Sequence, residues 1–262
     1  MLAQRVASAI AGVPLILLLI YAGDRWYVAA VAAIVAVACL EFQHARFGWT
    51  HPVSLLTAAF CAAMAGGAHV GLEWVVWFLA GAVVLTLGAM LYRFEAETSL
   101  LDWLWASSGV LYVGFLGSFM VLLRDLPGGR DWVYLTVLST FAADTAAYFG
   151  GRAVGSRALA PRISPHKTIE GAVFGWGGGF AAVLLCNYLL GLRIDAGDAV
   201  MLGAVLPAAA MVGDLAESAM KRGMHLKDAS ELIPGHGGLL DRLDSLLFTF
   251  VTVYLFVQWV LL

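Results

Sequence analysis

The chain has 262 residues, 61% of them hydrophobic and 13% charged, with a mean hydropathy of +0.87 and a formal net charge of −3. A water-soluble domain is roughly half apolar and about a quarter charged, so this composition excludes one. The apolar residues come in long runs rather than in alternation, which predicts an all-α, polytopic transmembrane protein.

Nine spanning segments are predicted, over roughly 6–22, 26–40, 53–70, 74–92, 103–123, 132–150, 171–190, 199–217 and 239–262. The first follows Arg5 and has no clear small-residue cleavage site, so it is expected to be retained rather than removed as a signal. Gly23-Asp24-Arg25 reads as a tight turn into the second. After it, Glu41, His44 and Arg46 read as an interfacial polar loop, as do His51, His69 and Glu73 further on. Segments one to five look like scaffold. The chain is therefore read as residues 1–130, membrane scaffold helices, and 131–262, the catalytic part of one integrated membrane unit. Cys39, Cys61 and Cys186 are scattered inside apolar segments without metal-ligand spacing and read as inert packing residues. Gly177-Gly178-Gly179 lies mid-span, where close helix packing or a kink is expected rather than a phosphate cradle.

Two polar stretches interrupt the apolar pattern. The first runs from Asp144 to Gly171. Asp144 and Tyr148 are one helical turn apart, and Gly150-Gly151 is expected to end that helix. Arg152, Arg157, Arg162 and Lys167 follow, and Ser164 or Thr168 is placed to cap the next helix before Glu170. The second stretch runs from Asp214 to Ser245. Asp214, Ser218, Lys221 and Arg222 share one helical face. Lys227-Asp228 comes next, then the Pro234-Gly235-His236-Gly237-Gly238 loop, then Asp241, Arg242 and Asp244 at the start of the last apolar run. Carboxylates gathered without thiols, and with few imidazoles, suit a hard cation such as Mg²⁺. Lys and Arg beside them suit phosphate oxygens. Together at a membrane surface they point to phosphoryl or nucleotidyl transfer onto a lipid.

These stretches resemble the phosphatidate cytidylyltransferase (CDP-diacylglycerol synthase) family. The match runs through Ser218, Lys221-Arg222, Lys227-Asp228, Pro234 to Gly238, Asp241-Arg242 and Asp244. It continues through Phe141 to Thr145, Tyr148, Gly151-Arg152 and Ile163 to Gly171. Ile169 stands where the family often has an aromatic, and Ala146 where it often has Gly. The resemblance covers the C-terminal half.

The resemblance implies transfer of CMP from CTP to phosphatidate, for phospholipid biosynthesis. Lys167, Lys221, Arg222, Asp241 and Arg242 would be catalytic, and Asp214, Asp241 and Asp244 would hold one or two Mg²⁺ ions. Asp144, Arg152, Ser164, Thr168, Glu170, Ser218, Lys227, His236, Gly237 and Gly238 would bind substrate, the two glycines by letting backbone approach phosphate. The partners expected are CTP, phosphatidate and the lipid bilayer, with a homodimer compatible and no nucleic acid. Two other readings stay open: a CTP-dependent polyprenol or dolichol-type lipid kinase, and a membrane transporter. With nine spans, eleven of the fifteen Lys and Arg fall on one side, both basic stretches included. The positive-inside rule makes that side cytoplasmic, in the inner membrane.

Overall fold

A computed structural model describes residues 12, 14–92, 94–192, 194–224, 230, 232 and 237–261. The architecture is helical, and each predicted apolar segment has a helix. These are α1 (14–22), α2 (Asp24–His44), α3 (Pro52–Ala68), α4 (Leu72–Tyr92), α5 (Ser99–Gly109), α6 (Leu116–Arg124), α7 (Gly129–Val154), α8 (Ile169–Leu190), α9 (Ala196–Gly223) and α10 (Leu240–Phe256). A π-helical stretch, Val110–Phe115, joins α5 to α6, so that Ser99–Arg124 runs as one rod; a second, Val257–Leu261, extends α10. Two short strands, β1 (Ala158–Ala160) and β2 (Ser164–Thr168), pair antiparallel between α7 and α8. Pairing over so few residues leaves no periodic signal, and the all-α expectation missed it.

Among the described residues six helices are long and apolar enough to cross a membrane: α2, α4, the Ser99–Arg124 rod, α8, α9 and α10 with its extension. Together they make this an integral membrane protein. The expected count of nine exceeds these six. The α3 helix has only 17 residues. The α7 helix is less apolar, because Thr136, Ser139, Thr140, Asp144 and Thr145 stand along it. Its Thr136 and Thr140 hydroxyls are buried and donate to the carbonyls of Trp132 and Thr136, so they carry no unmet polar cost.

The chain forms two compact units. The first holds α1–α6 and the described residues of the 228–241 stretch. Within it, Gly23 (φ +63°) makes the turn between α1 and α2, with the Arg124 guanidinium lying against it. Cys39, Cys61, Val35, Met64, Val75 and Val113 are fully buried, and the three cysteines of the chain are free. His51 caps α3, its Nδ1 accepting from the Val53 N–H, and His69 Nδ1 lies 2.8 Å from Asp125 Oδ2.

The second unit holds α7, the hairpin, α8, α9 and the last helix from Arg242. Small residues let α7 and α8 pack closely. A Cβ at Gly175 would lie 2.8 Å from Ala147 Cβ, and one at Gly179 would lie 2.9 Å from Ala143 Cβ and 2.6 Å from Pro207 Cγ of α9. A Cβ at Gly178 would meet that of Ala146, so close packing explains Gly178 and Gly179 as expected, whereas Gly177 has nothing within 4 Å and is not explained this way. Gly150 and Gly151 do not end α7, which continues to Val154. They stand where Phe174, Thr168 and Gly171 press against the helix, so their need is for space rather than for a turn.

Candidate functional site

The second unit brings the two polar stretches together. Thr168 caps α8, its hydroxyl accepting from the Gly171 N–H at 3.1 Å, while Ser164 is a strand residue opposite Ala160. The cap and the β1–β2 pairing fix the residue between them, Lys167. Its Nζ lies 2.5 Å from Asp214 Oδ2 on α9. One turn on, Ser218 is half-buried on α9. Glu217, 1% exposed, pairs with Lys221 at 2.5 Å, and Arg222 Nε donates to the Ile163 carbonyl at 3.1 Å. The face predicted for Asp214, Ser218, Lys221 and Arg222 is therefore helical throughout, and two of its residues reach the hairpin.

Asp144 of α7 and Asp244 of α10 complete the group. The charge of Asp144 interacts with those of Asp214, Lys167 and Arg242, and that of Asp244 with Asp214, Glu217 and Asp144. The main chain of α10 comes close to α9 here, since a Cβ at Gly213 would lie 2.5 Å from the Asp244 carbonyl oxygen. Carboxylates so near one another repel unless cations stand among them. Lys167 and Arg242 supply part of that positive charge. Among the described residues no three His, Cys, Asp or Glu side chains form a ready-made metal cage. Mg²⁺ does not need one: it usually keeps several waters and takes one or two carboxylates with substrate phosphates. The oxygen donors of Asp144, Asp214 and Asp244 fit that habit.

Other predicted residues serve the frame. The Glu170 carboxylate accepts from Ser156 N–H (3.0 Å), Ser156 Oγ (2.9 Å), Arg157 N–H (3.2 Å) and Arg157 Nε (3.1 Å), which holds the basic loop to the start of α8. Arg152 is exposed and donates to the Tyr148 hydroxyl at 3.2 Å. Lys227 and His236 lie outside the described residues.

In the first unit, Gly238 lies against Glu41, a residue expected in an interfacial polar loop. Glu41 is on α2 and only 1% exposed. Its carboxylate accepts from Ser230 Oγ at 2.6 Å, Leu239 N–H at 2.9 Å and Leu240 N–H at 2.7 Å. Asp241 Oδ2 accepts from Gly238 N–H at 2.7 Å. Three successive amides at the start of α10 are thus held by carboxylates of the chain itself. Gly237 has φ +81°, and a Cβ at Gly238 would lie 3.0 Å from Glu41 Oε2. In this structure Gly237 makes that turn and Gly238 allows that close approach. The one sequence signal for Glu41 was a carboxylate at the end of an apolar run.

The sequence matches the family model described as "Cytidylyltransferase family" over residues 3–260. This chain belongs to that family. A phosphatidate cytidylyltransferase of Brucella suis is 41% identical over 153 residues, 58% of this chain and 56% of the relative. The chain thus spans about half the length of that relative. Phosphatidate cytidylyltransferases of Synechocystis and Pseudomonas aeruginosa align more fully. The first is 32% identical over 97% of this chain and 96% of its own length, the second 33% identical over 94% and 93%. Membership of the cytidylyltransferase family gives the Lys167–Asp214 pair and its neighbouring carboxylates a chemical context.

Proposed function

We propose that this protein transfers CMP from CTP to phosphatidate, giving CDP-diacylglycerol and pyrophosphate. The observation that carries this reading is the Lys167–Asp214 pair, set among Asp144, Asp244 and Arg242 in a chain of the cytidylyltransferase family. A phosphatidate oxygen forms the new bond to the α-phosphorus of CTP. The bond from that phosphorus to the oxygen bridging to the β-phosphate breaks, and pyrophosphate leaves with the electron pair. The acceptor is already ionised, so no strong general base is required; the work is in-line positioning and charge neutralisation.

In this reading Lys167 and Arg242, with Lys221 and Arg222, neutralise phosphate oxygens. Ser164, Thr168 and Glu170 support Lys167 by shaping the hairpin. Asp214, Asp241 and Asp244 would hold one or two Mg²⁺ ions, and the charge of Asp144 interacts with those of Asp214 and Asp244. Bound Mg²⁺ supplies charge stabilisation on the triphosphate. Arg152, Ser218, Lys227, His236, Gly237 and Gly238 stay assigned to substrate binding. A lipid kinase acting on a hydroxyl would want a base poised for that proton, and the site is instead rich in paired charges. A transporter gives no reason for the family match.

The proposal extends to setting. Helices α1, α3 and α7 join the six longer ones as spans, making about nine. The protein lies in the inner membrane with both basic stretches facing the cytoplasm, where CTP is. A homodimer is included, to be read by light scattering of the detergent-purified protein. The deciding experiment supplies purified protein with CTP labelled at the α-phosphorus, phosphatidate and Mg²⁺, and identifies the lipid product. Labelled CDP-diacylglycerol, lost on stripping metal with EDTA and restored by Mg²⁺ or Mn²⁺, supports the reading. Transfer of the γ-phosphate instead, or full turnover without metal, overturns it.

A further inference from the structure

We infer that Glu41 is a positioning residue for the transfer, acting through the loop that leads into α10; this rests on the cytidylyltransferase reading above. Glu41 is a buried carboxylate in the part of the chain read as scaffold, yet its donors among the described residues are Ser230, Leu239 and Leu240. Two of those donors are Leu240 N–H, the first residue of α10, and Leu239 N–H just before it, where backbone amides have no partner within the helix. An anion there also meets the positive end of the helix dipole.

Two further observations agree. Gly238 passes so close that a Cβ would lie 3.0 and 3.1 Å from the two Glu41 oxygens. Gly237 takes the left-handed turn that brings the chain there, at φ +81°. The glycine pair and the carboxylate form one clamp. It continues without a break into Asp241, Arg242 and Asp244, residues assigned to cations and phosphate. Glu41 itself is buried and holds protein donors. It fixes where the Asp241 side chain begins, and small displacements of such a group cost rate steeply.

The test uses the full chain in lipid nanodiscs, with Glu41→Gln and Ser230→Ala beside the parent. The glutamine keeps the shape but turns an amide NH₂ toward backbone N–H groups. Hydrogen exchange at the Leu239 and Leu240 amides should quicken by at least about tenfold, while the interiors of α2 and α8 keep their protection. Per folded molecule, kcat should fall by about thirtyfold or more, with KM for CTP within about threefold of the parent. Ser230→Ala, which removes one donor, should shift both readouts the same way by less. Quickened exchange with unchanged kcat would reduce Glu41 to a helix cap and overturn the inference, as would a loss of turnover that only tracks the folded fraction. If Glu41→Gln does not insert, Ser230→Ala and the parent decide: unprotected Leu239 and Leu240 amides in the parent refute the clamp. A parent that makes no CDP-lipid overturns the functional reading instead, and slow exchange at those amides would still uphold the clamp.

Discussion

Lys167 Nζ and Asp214 Oδ2 lie 2.5 Å apart, joining a strand end to the middle of a long helix. Their side chains are 27% and 34% exposed, so the pair is neither dry nor fully solvated. The Lys167 Nζ itself is buried, so the pair holds a cation in place against Asp214. Removing the cation should cost transition-state charge stabilisation. Lys167→Ala is expected to lower kcat by about a hundredfold or more, with helix content unchanged. Labelled-CTP turnover together with circular dichroism checks this. A variant keeping more than about a third of parental turnover, under 1 kcal/mol of lost stabilisation, would remove Lys167 from the chemistry.

Much of this site was legible in the sequence because its order is helical. Asp214, Ser218, Lys221 and Arg222 share a face by spacing alone, and the structure keeps α9 unbroken to Gly223. Thr168 announced itself as a cap in the same local way. What escaped was non-local. Glu41 bonds mostly to backbone amides, which carry no sequence signature, and its partners lie far along the chain. The β1–β2 hairpin is too short to show a period. Gly150 and Gly151 looked like punctuation because a glycine needed for space and one needed for a turn are written alike.

Glu170 offers a test of the frame alone. Its carboxylate gathers the Ser156 and Arg157 donors and so closes the basic loop. Glu170→Ala should leave α8 intact, since the Thr168 cap remains. It should open the loop, and trypsin cleavage after Arg157 should then quicken by about tenfold, because cleavage follows the population of the open form. Cleavage at the parental rate would show that the hairpin holds itself.

Sidedness can be read with thiol chemistry, because Cys39, Cys61 and Cys186 are buried and give little background. Cysteines placed at the exposed positions Arg157 and Leu232 are expected to react with a membrane-impermeant maleimide only in inverted vesicles or broken cells. Labelling from outside intact cells would reverse the orientation taken from the Lys and Arg distribution.

Asp241 separates catalysis from folding. Its Oδ2 accepts from Gly238 N–H at 2.7 Å, which closes the turn into α10. An asparagine keeps an oxygen for that bond and costs little at a helix start. If turn closure were its whole duty, Asp241→Asn would work almost as well as the parent. As a carboxylate for a divalent ion, it loses the anionic oxygen that the ion needs. That loss is worth several kcal/mol of transition-state stabilisation, roughly a thousandfold in rate. The expected variant therefore inserts and melts like the parent, yet makes almost no CDP-lipid at any Mg²⁺ concentration. Turnover above about a tenth of parental, a drop of only about 1.4 kcal/mol, would assign Asp241 to the turn and move the cation to Asp144, Asp214 and Asp244.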